Sequence, residues 1–234
     1  MLTTNRDTHS NQAVIFIHGY LGLPQKTWGQ LLGQFPNFVA QDLQGSTWDV
    51  FSIGFQAPSL HDLTGRWWQN DFSPIPMAEQ LNGFLVSEPL APYQKLALVT
   101  HSLGGLIAQR ALVDSSELSG RVSHLFLFAC PNLGLLIARL LLGFSRPSRN
   151  LAQGSDFIKD LRKRWDERFG RDLPFALYAI VGELDEFVPP LSGFGPFADS
   201  SRRVVLGNHA ELVKPKSIEF GRFPTWSFAA WRCE

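Results

Sequence analysis

Ser102 stands in Leu98-Val-Thr-His-Ser-Leu-Gly-Gly, where an apolar run meets a small-residue turn and then a helix-forming stretch. A serine hydroxyl attacks a carbonyl only when a base takes its proton. A sharp strand–turn–helix junction is the local geometry that lifts such a hydroxyl clear of a sheet. Gly104 leaves room for the strand and helix to approach each other there. Thr100 occupies the place where the pattern G-x-S-x-G has its first glycine, and its side chain adds crowding that a small shift of the next helix would relieve. The plainer alternative is that Ser102 merely caps a helix. A nucleophilic serine also needs a histidine to accept its proton and a carboxylate to orient that histidine. Three carboxylates, Glu183, Asp185 and Glu186, cluster in Val181-Gly-Glu-Leu-Asp-Glu-Phe-Val-Pro-Pro, and could simply solvate a loop. The histidines are His9, His18, His61, His101, His124 and His209. His101 precedes the serine and cannot easily reach back to it, so it reads as a packing residue. His124 opens an apolar run, while His209 lies in a loop, Gly207-Asn-His-Ala, after the last such run.

The elements that must hold these residues are legible as short apolar runs at Ala13–Ile17, Trp48–Ile53, Lys95–Val99, Ser123–Ala129, Phe175–Val181 and Arg202–Leu206. Runs apolar at nearly every position, rather than at alternate ones, indicate strands buried on both faces. Helical patterns fall between them at Lys26–Gly33, Met77–Val86, Leu103–Val113 and Asp156–Arg168. Alternating strands and helices predict an α/β fold, an open and mostly parallel sheet of about six strands with helices on both faces. Sites in such sheets form outside the carboxyl ends of the strands, and Tyr20, Ser102, Asp185 and His209 all follow strand ends. Residues 1–234 read as one domain. The stretch 131–174 is long for a simple connection. It could be a lid, a cap or an acyl-binding wall, or an ordinary pair of crossover helices.

These residues together resemble the α/β-hydrolase superfamily over most of the chain. The resemblance rests on Ser102 in its turn, on Ile17-His-Gly-Tyr-Leu-Gly after the first run, and on the match of Gly182–Pro189 to G-x-x-D-x-x-V-P. It implies Ser102 as nucleophile, Asp185 as the acid, and backbone amides of Tyr20 and Leu103 as the oxyanion hole. The superfamily order is Ser, then Asp, then His, and His209 is the one histidine after Asp185. His18 would tie down its own loop. A finer likeness lies in His18-Gly-Tyr, Ala129-Cys-Pro-Asn-Leu-Gly, Gly154-Ser and His209-Ala-Glu-Leu-Val-Lys-Pro. These look like the lipase-like, inositol-deacylase-like branch, which acts mainly on esters. The implied activity is a serine ester hydrolase working through an acyl-enzyme, with thioesters or amides open to the same parts. That chemistry needs no cofactor and no metal. The implied partner is a small-molecule ester, with an apolar acyl group.

Composition narrows the remaining classes. Lys plus Arg and Asp plus Glu each total 21, so the formal charge is zero. That leaves no basic excess for a nucleic-acid partner. The two cysteines, Cys130 and Cys233, are too few for a disulfide framework, and Cys130 reads as a buried thiol. The polar start, MLTTNRDTHSNQ, lacks a signal-peptide core. Leu133–Phe144 is interrupted by Arg139 and is short of the ~20 residues that span a bilayer. A soluble, cytoplasmic protein is therefore expected, with no transmembrane segment and at most weak contact of Leu133–Phe144 with a membrane surface. Trp67, Trp68, Trp226 and Trp231 keep a second reading open, a catalytically silent binding module on the same fold.

Overall fold

The apolar runs form the middle of one sheet. A computed structural model describes residues 2–19, 27–29, 34–44, 46–54, 73–135 and 150–215. The strands are β1 (Leu2–Arg6), β2 (Gln12–Ile17), β3 (Trp48–Ile53), β4 (Lys95–His101), β5 (Val122–Phe128), β6 (Ala176–Gly182) and β7 (Arg202–Val205). The helices are α1 (Gln34–Asp42), α2 (Pro74–Leu85), α3 (Leu103–Asp114), α4 (Ser116–Arg121), α5 (Asp156–Phe169) and α6 (Pro190–Phe194). The sheet order is β1-β3-β2-β4-β5-β6-β7, parallel throughout except for β1, which runs antiparallel to β3. Register aligns the ends that matter. Ile17 pairs with Thr100, His101 with Phe128, Phe128 with Ile180, and Gly182 with Val205. The loops after β2, β4, β5, β6 and β7 therefore emerge along one edge.

Alternation along β2 explains its uninterrupted apolar character. Ala13, Ile15 and Ile17 join the core beneath α2, α3 and α5, while Val14 and Phe16 join the core beneath α1. Edge-to-face rings lock the second core, with Phe16 5.0 Å from Trp28 and 5.3 Å from Phe35. At roughly 2 kcal/mol per fully buried large side chain, these two layers are the main force holding the sheet.

The structure adds elements that the sequence pattern does not announce. Among the described residues the sheet has seven strands, one beyond the six apolar runs, because the polar segment Leu2–Arg6 forms β1. An antiparallel edge strand can keep water on one face, so it needs no apolar run. Asp49 ties this edge down: its buried carboxylate accepts hydrogen bonds from Thr8 N, Thr8 Oγ1, Ser10 N and Tyr93 Oη. Helix α1 carries Pro36 in its first turn, where a missing N–H costs nothing. The helix expected at Lys26–Gly33 lies mostly outside the described residues, as do Trp67, Trp68, Trp226 and Trp231.

Of the stretch 131–174, residues 136–149 also lie outside them, with most of Leu133–Phe144 and the lid question. The described remainder contains α5, which behaves as an ordinary crossover helix. Phe157, Ile158, Leu161 and Trp165 face the core, and Trp165 packs its ring on Phe169, Phe175 and Phe197. Among the described residues, no helix is long and apolar enough to cross a membrane.

Gly83 lies inside α2, and a Cβ built there meets nothing within 4 Å. Gly83→Ala removes unfolded-state freedom and adds helix propensity without a clash. It should stabilise the protein by about 0.5–1 kcal/mol, read as a raised Tm; a lowered Tm contradicts the open space described at this position.

Candidate active site

Ser102 links β4 to α3 with φ 54° and ψ −127°, a backbone state that residues with side chains rarely adopt. Its hydroxyl makes no capping hydrogen bond to α3, which disfavours the cap reading. Its amide donates to Phe128 O at 2.8 Å, anchoring the turn on the neighbouring strand. The strained turn persists because its surroundings fit around it. A Cβ on Gly104 would lie 2.6 Å from His18 O and 2.7 Å from Ile17 O. A Cβ on Gly19 would lie 2.9 Å from Ser102 Cβ and 3.0 Å from His101 O. At Gly104 backbone meets backbone, and at Gly19 it meets the Ser102 Cβ and the His101 carbonyl, so neither position has room for a side chain.

Thr100 is accommodated by a different device from the helix shift expected. Its hydroxyl is fully buried and donates to Phe126 O at 2.8 Å. Space for it comes from Gly105, where a Cβ would stand 3.1 Å from Thr100 Oγ1 and 2.6 Å from Cys130 Sγ. Cys130 is a free buried thiol, pushed up to about 12 by burial, and so is not a nucleophile at neutral pH.

Asp185 and His209 meet across the loops that follow β6 and β7. His209 Nδ1 is 3.0 Å from Asp185 Oδ2 and 3.2 Å from Oδ1. Facing a carboxylate, Nδ1 carries the proton, which leaves Nε2 as the acceptor. The Asp185 side chain is fully buried and His209's is 15% exposed. The amides of Phe187 and Val188 also donate to Asp185 Oδ1, at 2.9 and 2.8 Å. Its neighbours take other parts. Glu183 is exposed, and Glu186 Oε2 accepts the His209 amide at 3.4 Å. Asn208 Oδ1 accepts the amides of Ala210 and Glu211, shaping the His209 loop as a tight turn.

His101 is more than the packing residue its position suggested. It is buried, lies edge-on to Trp28, and places Nε2 3.0 Å from His209 O. A carbonyl only accepts, so Nε2 carries the His101 proton. Burial first, then the His209 imidazole 4.9 Å away, push His101 down to about 3. The hydrogen bond to His209 O and the Asp185 charge recover part of that shift. Nothing local in the sequence signals the contact, which spans 108 positions.

The other expected residues fall as follows. Leu103 opens α3, so its amide is among the donors the helix leaves unpaired. Tyr20 lies outside the described residues. His18 Nδ1 donates to Gly19 O at 2.7 Å, holding the loop that leads to it. His124 pairs with Ala97 and Ala176 near the start of β5, at the opposite end of the sheet from Ser102. A hollow of about 440 Å³ between β1 and α1, lined by Asn5, Arg6, Asn37 and Gln41, contains none of these groups. Among the described residues, no three His, Cys, Asp or Glu side chains are arranged to hold a metal ion.

A family model described as the Alpha/beta hydrolase family matches residues 14–231. Protein SERAC1 of Mus musculus is 23% identical over 240 residues, which cover 87% of this chain. The chain spans about a third of that relative's length, 36%. The mature lipase BlEst2 of Bacillus licheniformis has a similar structure, with a TM-score of 0.67 and 15% identity over 92% of this chain and 93% of its own. Phospholipase PlaB of Legionella pneumophila gives a TM-score of 0.58 and 20% identity over 75% of this chain and 38% of its own. At these identities, the structural likeness speaks for the fold.

The buried His101 makes stability depend on pH. Its pKa is lower in the folded chain than in the unfolded one, so the unfolded state gains protons first as pH falls. The stabilisation is whole above the unfolded value of 6.5 and is lost as pH drops from there toward 3. At pH 5 the loss through His101 should be about 2 kcal/mol. His101→Gln, which keeps an N–H donor but does not titrate, should lose that much less between pH 7 and pH 5 in chemical denaturation. Equal losses in the two proteins would show that His101 is not held neutral.

Proposed function

The chain belongs to the alpha/beta hydrolase family, and from that premise we propose that it is a serine hydrolase cleaving carboxylic esters, with Ser102 as nucleophile, His209 as base and Asp185 as acid. The observation that carries this reading is the buried Asp185 carboxylate on His209 Nδ1, at the same sheet edge as the strained Ser102 turn. A lipase and a phospholipase among the proteins of similar structure are in keeping with an ester substrate.

In this mechanism Ser102 Oγ attacks the ester carbonyl while its proton passes to His209 Nε2. The imidazolium is stabilised by Asp185, which keeps its own charge. The carbonyl oxygen becomes an oxyanion, met by the Leu103 amide and, by position, the Tyr20 amide. A single such donor is worth about 3–4 kcal/mol. His209 then gives its proton to the leaving alkoxide, and an acyl-Ser102 ester remains. Water, deprotonated by His209, attacks that ester and releases the acid, returning the proton to Ser102. Leu184 and Leu206 are 62% and 68% exposed beside the Asp185 and His209 loops. Such apolar surface beside the site favours a substrate with an apolar acyl group.

p-Nitrophenyl esters of graded chain length provide the test. Ser102→Ala should stay folded, lose turnover almost entirely and no longer react with a fluorophosphonate. Undiminished turnover would remove Ser102 from its role, and a wild type inert to both reagents would favour the silent binding module. Among the acids, Asp185→Asn should cut kcat by up to about 10⁴-fold, since it spoils the His209 tautomer. Glu183→Gln should change little and Glu186→Gln should fall between. A larger loss at either glutamate than at Asp185 overturns the assignment of the acid.

A further inference from the structure

The His209 loop must reach a long way to meet Ser102. Ser102 follows β4 and His209 follows β7, with β5 and β6 between them. Three inter-strand spacings make that distance roughly 14 Å across the top of the sheet. A loop spanning such a gap places its side chain reproducibly only if its far end is tied. His209 is tied at three atoms. Asp185 accepts from its ring Nδ1, Glu186 accepts from its amide, and His101 donates to its carbonyl. The first two ties come from the β6 loop. The third comes from the residue next to Ser102 in the chain, so it joins the two sides of the site directly.

Resting on the reading of Ser102 and His209 as nucleophile and base, we infer that His101 is a positioning residue, whose hydrogen bond to the His209 carbonyl sets the base relative to the nucleophile's own turn. His101 itself touches no substrate in this role. Its ring is suited to the task, being buried, held against Trp28 and supplied with one donor for one carbonyl. An apolar residue of similar volume preserves the packing and leaves the His209 carbonyl without this partner. A glutamine preserves the donor close to the place of Nε2.

The experiment compares wild type, His101→Leu and His101→Gln in full-length chains shown to be folded. His101→Leu should lower kcat for p-nitrophenyl esters by about 10- to 100-fold with KM within about twofold, and His101→Gln should recover most of the loss. A second readout needs no turnover: the downfield proton NMR signal of His209 Nδ1–H, identified by its loss in Asp185→Asn. It should broaden or vanish in His101→Leu and persist in His101→Gln. A His101→Leu protein with the kcat and signal of wild type overturns the proposal, as does a His101→Gln protein that falls equally far. In the wild type, nitrogen shifts must place the His101 proton on Nε2; a proton on Nδ1 overturns the proposal without any variant. If Ser102→Ala retains wild-type turnover, the hydrolase reading falls, and the His209 signal alone decides whether His101 positions that ring.

Discussion

Backbone packed directly on backbone is the constraint on which this site rests. Helix α3 starts so close to the end of β2 that a single Cβ at Gly104 would collide with the carbonyl oxygens of Ile17 and His18. Gly19 presses on the Ser102 turn from the other side. These contacts hold Ser102 in a conformation it would not otherwise keep, at a cost of order 1–3 kcal/mol met by the surrounding core. The same closeness brings the loop after β2, which His18 holds through Gly19 O, alongside the first amides of α3.

Around that rigid turn, the polar groups divide their work by burial. Asp185 is buried and fully engaged, by two amides and an imidazole, so its charge is directed at His209. Glu186 remains at the surface and holds a backbone amide, and Glu183 stays in water. His101 and Cys130 are kept uncharged by burial. Three carboxylates and two histidines gathered at one end of the sheet thus acquire different surroundings from the fold alone.

Legibility in the sequence followed burial and locality. The strands β2 to β6 could be read because burial on both faces forces a run that is apolar at most positions, and the Ser102 turn because Gly104 and Gly105 lie within three residues of it. β1 could not, since Leu2–Arg6 is an edge strand paired with β3, is only partly buried, and carries two threonines, an asparagine and an arginine. The choice between Asp185 and Glu186 was suggested by motif spacing, but the three hydrogen bonds that distinguish them belong to a folded turn. His101 does pack, against Trp28, but its hydrogen bond to the His209 carbonyl is not legible in the sequence, because its partner is the backbone of a residue in a distant loop, and backbone partners leave no mark in side-chain patterns.

The pocket that shelters Thr100 also fixes an order in which this turn could change over evolutionary time. Gly105 lacks a side chain because Thr100 and Cys130 already occupy the volume. Thr100 could shrink to glycine first, losing one hydrogen bond and leaving a small void. An alanine at 105 would, in the present background, drive into a sulfur atom and its Cβ. The two positions are therefore coupled through one shared volume. The helix side can gain bulk only after the strand side and Cys130 have given it up, and each intermediate must still hold the Ser102 turn.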